Sequence, residues 1–378
     1  MQKRKIILFV PGYYGSTLVT KDTKELRWVR FSDFFLHKKN LLTTVPGTSL
    51  KAVEELIPGE VLTHVNVIPL LFKIDSYGKT LNQLKEFAKT EGAVVETAIY
   101  DWRDDFIESL KRIDQKIKSL ALSESDELQI VAHSTGALLM SYYLRYGAQD
   151  VETAKENWEG ARLIKKAVLA AAPFHGLMVL LRDTEHGTSQ GLNRELLSAR
   201  DYSSFRSSYM FLPPQGEDIG YSLQEKKEVP LKLHNTETWE KNRWGVFKFI
   251  SEKEFPAGRQ FVQSSMDRSQ KFHNLLRAPV VTKIPKTFSL LYLWGKGHKT
   301  VQVALVNEIG EGTQRRKTVS FNREETYVDG DGTVTAESGR PLVFFKHLSH
   351  HLIELNDSHL NVVASRANQR KIQDFLKS

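Results

Sequence analysis

Between Leu128 and Leu139 a β-rich apolar run, Leu-Gln-Ile-Val-Ala, passes through His133-Ser134-Thr135-Gly136 into a helix-forming stretch that continues to about Arg145. The constraint is steric. So sharp a strand-to-helix turn needs small residues around the serine, and it leaves Oγ exposed at the carboxyl end of a sheet. The rest of the chain keeps the same rhythm. Apolar runs recur at Ile6 to Val10, Val94 to Ile99, Ala167 to Ala172, Phe288 to Trp294 and in a stretch ending near Leu355. Between them lie helix-period segments such as Leu81 to Phe87 and Phe106 to Leu120. The alternation predicts an α/β fold with a mainly parallel sheet covered by helices.

Two stretches break the rhythm. From Gly176 to Pro285, Tyr202, Phe205, Tyr209, Met210, Phe211, Trp239 and Trp244 are scattered among glycine, proline and charged residues. This reads as an inserted cap or lid. A shorter aromatic excursion, about 26–69, carries Trp28, Phe31, Phe34 and Phe35 beside Lys38 and Lys39. The expected organisation is a core over 1–176, a cap over 177–285 and the rest of the core over 286–378. No internal repeat or low-complexity tract suggests separate domains.

The chain has no cysteine, which excludes disulfides, thiolate metal sites and a cysteine nucleophile. Its 53 Lys and Arg against 45 Asp and Glu give a net charge of +8, which favours anionic partners such as lipid headgroups. Nothing else in the sequence points to nucleic acid. The basic start is followed by an apolar run, Ile6 to Val10, that is too short for a signal peptide and ends in Pro11-Gly12. No apolar run is long enough to cross a membrane. The expectation is a cytoplasmic or peripheral membrane protein.

Ser134 is the candidate nucleophile, and the backbone N–H of Thr135, opening the helix, points where an oxyanion would form. An elbow serine needs a carboxylate and then a histidine, in that chain order. The turn Tyr327-Val328-Asp329-Gly330-Asp331-Gly332-Thr333-Val334 offers two aspartates, of which Asp331 is preferred. His359 follows the last strand and precedes the last helix, where a base reaches the elbow. His133 is disfavoured as the base, because neighbouring side chains on a strand point to opposite faces. His347, His350 and His351 lack the spacing of a helical metal site, so no metal is expected. The glycine-rich loop Pro11-Gly12-Tyr13-Tyr14-Gly15 follows the first strand and makes the Tyr13 N–H a second oxyanion donor.

Taken together, these segments resemble the lecithin:cholesterol acyltransferase family. The matching stretches are Phe9-Val10-Pro11-Gly12 with Gly15, Tyr100-Asp101-Trp102-Arg103, Ala132-His133-Ser134-Thr135-Gly136, Ala172-Pro173-Phe174 with Gly176, Asp329-Gly330-Asp331-Gly332-Thr333-Val334 and His359-Leu360-Asn361. The resemblance implies an α/β-hydrolase fold with a mobile lid and a small membrane-contacting excursion near Trp28. It also implies catalytic Ser134, Asp331 and His359, with Trp102, Tyr14 and Phe174 at the substrate pocket. Animal members carry disulfides that this chain lacks, and His175 stands where a small residue is usual.

The implied chemistry is acyl transfer from a phospholipid or other lipid ester to water or an alcohol, without a cofactor. A serine esterase or peptidase with a non-lipid substrate is the alternative, because fold and triad do not fix the leaving group.

Overall fold

A computed structural model describes residues 3–29, 41–63, 77–190 and 193–378. At its centre six parallel strands run in the order Ser349–Leu355, Ser289–Gly295, Ile164–Ala170, Glu127–His133, Lys5–Val10 and Ala93–Thr97. Leu8 lies beside Ile130, and Ile130 beside Ala167. The middle strands read as unbroken apolar runs because both faces are covered. Leu8, Val10 and Ile130 face one core, while their neighbours Ile7, Phe9 and Val131 face the other.

Helices supply both covers. Phe106–Ser119 buries Phe106, Leu110, Ile113 and Ile117 along one stripe, and Asp105 caps its start by accepting from the Ile107 N–H. It shares that core with the helix Thr135–Tyr146. Gly78–Thr90 and Arg366–Lys377 cover the opposite face. All six strands point one way, so the residues after Val10, His133, Ala170, Gly295 and Leu355 gather along one edge. Parallel sheets of this kind present their reactive groups at that carboxyl edge.

Residues 177–285 build much of a second layer with its own core, including Met178, Leu181, Tyr209, Trp239, Trp244, Phe247 and Met266. Its backbone is largely helical, from Val179–His186 to the long Phe255–Arg277. Its sheet also takes strands from beyond that stretch. Ile219–Ser222 and Lys227–Pro230 join Ala304–Ile309 and Arg316–Ser320 in four strands. Two departures from the core edge thus bury one another's apolar faces. The shorter excursion contributes Leu26–Trp28 and Leu56–Val61, which flank Ser16–Thr20 in a small antiparallel sheet. Phe31, Phe34, Phe35, Lys38 and Lys39 lie outside the described residues.

Candidate active site

Ser134 closes the central strand at φ 55° and ψ −123°, a conformation that non-glycine residues rarely adopt. The surroundings hold it there. Its N–H donates to the Ala170 carbonyl at 2.7 Å, and its carbonyl accepts from the Leu138 N–H at 3.0 Å. A Cβ on Gly136 would come within 2.4 Å of the Pro11 carbonyl oxygen, so only glycine lets the helix start this close to the first strand's exit.

His359 and Asp331 are brought to the same point from far along the chain. His359 Nε2 lies 2.9 Å from Ser134 Oγ, and its Nδ1 lies 2.7 Å from Asp331 Oδ2. A carboxylate can only accept, so Nδ1 carries the proton and Nε2 is free to accept from the serine hydroxyl. Asp331 is fixed in turn by the Thr333 and Val334 N–H groups, at 2.9 and 2.7 Å from Oδ1. Burial raises its carboxyl, but His359 and these donors outweigh that and hold it below the usual range. Asp329 faces elsewhere, accepting from the Gly297 N–H at 2.7 Å.

Among the described residues neither the Tyr13 nor the Thr135 N–H has a protein acceptor, and both residues line the cavity that holds Ser134. The Gly12 N–H is already engaged by the Tyr77 hydroxyl at 2.8 Å. His133 does not face the serine. Its Nδ1 lies 2.7 Å from the Tyr77 hydroxyl and its Nε2 2.9 Å from the His359 carbonyl.

The cavity holds about 370 Å³. Apart from the reactive groups its walls are chiefly aromatic and leucine side chains, including Tyr14, Leu180, Leu197 and Phe211, with the ion pair Arg182–Asp183 among them. Three expectations need correcting. Trp102 is buried one layer behind the wall, its ring 5.1 Å from Tyr13 and 5.0 Å from Tyr14. Phe174 packs in the core against Tyr292 and Phe345 and does not reach the cavity. Trp28 is not presented to a membrane, being buried in the cavity wall with its Nε1–H on the Tyr14 carbonyl. An indole with a single polar atom favours such a place. His175 pairs with Glu217 at 3.3 Å, away from the cavity.

Sequence reasoning missed Tyr77, Arg182 and Asp183. No local pattern marks Tyr77, which stands 56 positions from the histidine it meets. Arg182 and Asp183 read as ordinary charges on a helix until the fold turns them toward the cavity.

A family model described as lecithin:cholesterol acyltransferase matches residues 19–244, more than half of the chain. The chain belongs to the lecithin:cholesterol acyltransferase family. It is accordingly a lipid ester hydrolase or acyltransferase. The matched stretch holds Ser134, whereas Tyr13 precedes it and Asp331 and His359 follow it. No curated protein matches the sequence. Among solved structures, the Tle4–Tli4 complex contains a similar chain, with a TM-score of 0.63 at 12% identity, covering 100% of this chain and 99% of that one. The mature lipase BlEst2 of Bacillus licheniformis aligns over 100% of this chain and 93% of its own at 10% identity, with a TM-score of 0.38. The fold is that of the α/β hydrolases. Among the described residues no helix is long and apolar enough to cross a membrane.

Proposed function

We propose that the protein cleaves an acyl ester of a phospholipid or similar lipid through a covalent intermediate on Ser134. His359 takes the Oγ proton at Nε2 as Oγ bonds to the ester carbonyl carbon, and Asp331 holds the tautomer and steadies the imidazolium. The Tyr13 and Thr135 N–H groups stabilise the oxyanion, each worth about 3 kcal/mol of barrier. Collapse breaks the bond to the leaving alcohol, which takes the proton from His359. Water or a lipid alcohol then attacks the acyl-enzyme by the same steps in reverse, which makes the protein a lipase or phospholipase in one case and an O-acyltransferase in the other.

The observation that carries this reading is the continuous contact Ser134–His359–Asp331, at 2.9 and 2.7 Å, opening into a largely apolar cavity. Leucine and aromatic walls suit an acyl chain better than a peptide. The second layer over the carboxyl edge acts as the cap that keeps bulk water from the acyl-enzyme.

The test combines labelling with product analysis. A fluorophosphonate probe should label the wild type and not Ser134→Ala, and label retained in the variant would sink the assignment. Mass spectrometry of products from mixed phospholipids, with and without an alcohol acceptor, should show free fatty acid or acylated acceptor that Ser134→Ala does not form. Turnover confined to short p-nitrophenyl esters would point instead to a non-lipid esterase.

A further inference from the structure

His133 takes no part in the acyl transfer above, yet it is buried with its ring centroid 4.6 Å from that of His359. Its hydrogen bonds have a fixed direction. The His359 carbonyl can only accept, so His133 Nε2 is the protonated nitrogen at that 2.9 Å contact. Burial and the neighbouring His359 push its pKa down to about 3, so the ring is neutral and Nδ1 is a bare acceptor. Nδ1 therefore receives the Tyr77 hydroxyl proton across 2.7 Å, and the Tyr77 oxygen receives the Gly12 N–H across 2.8 Å.

The chain of donors thus runs one way, from the Gly12 N–H through Tyr77 and His133 to the His359 carbonyl. Its ends are the two loops that must be in register for acyl transfer. Gly12 precedes Tyr13, and its Cα region is so close to the nucleophile that an added Cβ would lie 2.7 Å from Ser134 Cβ. His359 is also tied at its N–H, which donates to the Asp331 carbonyl at 2.8 Å.

We propose that Tyr77 and His133 are positioning residues, a neutral hydrogen-bonded strut that sets the spacing between the oxyanion loop and the loop of the base. This rests on the reading of Ser134 and His359 given above. A neutral strut has a second merit, since His359 becomes an imidazolium in each half-reaction and a charged neighbour at this distance would oppose it. The strut also occupies the Gly12 N–H, leaving the oxyanion to Tyr13 and Thr135.

Tyr77→Phe is the deciding variant, because it keeps the ring that packs on Phe9 at 5.0 Å and removes only the hydroxyl. Its kcat on a lipid ester should fall by between about ten- and a hundredfold with KM within about twofold, and its melting temperature should stay close to wild type. The rate of fluorophosphonate labelling should fall in parallel. His133→Gln, which can still donate to the His359 carbonyl, should retain more kcat than the apolar His133→Leu. Undiminished kcat in Tyr77→Phe would overturn the strut, as would a loss of fold in that variant, which would show the hydroxyl holding the chain together rather than the site. Label retained in Ser134→Ala would overturn the underlying assignment instead, so the two failures are distinguishable.

Discussion

Asp331 and Asp329 are two positions apart and chemically identical, and their surroundings separate them. Asp331 is buried with one oxygen on two backbone N–H groups and the other on His359, whereas Asp329 is exposed and ties down the turn at Gly297. Asp331→Asn should therefore lower kcat by about 10⁴-fold, since an amide no longer holds the required tautomer, while Asp329→Asn should stay within a few-fold of wild type. Steady-state kinetics on one ester would decide this, and the reverse order would show the wrong aspartate assigned. Asp183 makes a second residue-scale prediction. Burial, only partly offset by Arg182, pushes its carboxyl up to about 6, against about 3.9 in an unfolded chain. Between those values the folded protein holds a proton that the unfolded chain releases, so this group's contribution to stability rises as pH falls through the window, and above about 6 the ionised carboxylate is a cost. The melting-temperature difference, Asp183→Asn minus wild type, should become more positive from pH 4.5 to pH 8. A difference that does not change with pH would contradict it.

At the scale of elements, the start of the Thr135–Tyr146 helix does the most work in the smallest space. Its first residue lines the cavity, and its second residue must be glycine because the exit of the first strand presses against it. Gly136→Ala should force the two apart, costing about 1–3 kcal/mol in denaturant unfolding and lowering kcat by up to about a hundredfold as the Thr135 N–H moves. Wild-type stability and activity in that variant would mean the contact is slack. The helix was legible because its signal is local: Ala132 and Gly136, two positions to either side of Ser134, are small, and an apolar run lies on each flank. Trp28 was misread for the opposite reason. A tryptophan near lysines in an irregular stretch looks like a membrane contact, and only the antiparallel pairing of Leu26–Trp28 with Ser16–Thr20 turns it into the cavity wall.

At the scale of the molecule, the cavity exists because the second layer folds back over the sheet edge. Leu196 and Leu197 reach it from the stretch after the helix Val179–His186, while Val301, Gly332 and Thr333 come from the part of the chain that follows the core strand Ser289–Gly295. Leu197→Trp should narrow the space for an acyl chain and lower turnover of long-chain relative to short-chain esters by about tenfold or more. An unchanged chain-length profile would place the acyl group elsewhere. By itself the sequence determined the alternation of elements, the parallel core and the elbow at Ser134, because these follow from periodicity and from steric needs within a few residues. The tertiary structure alone decided that Phe174 and Trp102 sit behind the cavity, that Arg182 and Asp183 line it, and that Tyr77 meets His133. Those relations depend on which distant segments pack together, and packing across a fold leaves no mark in the local spacing of residues.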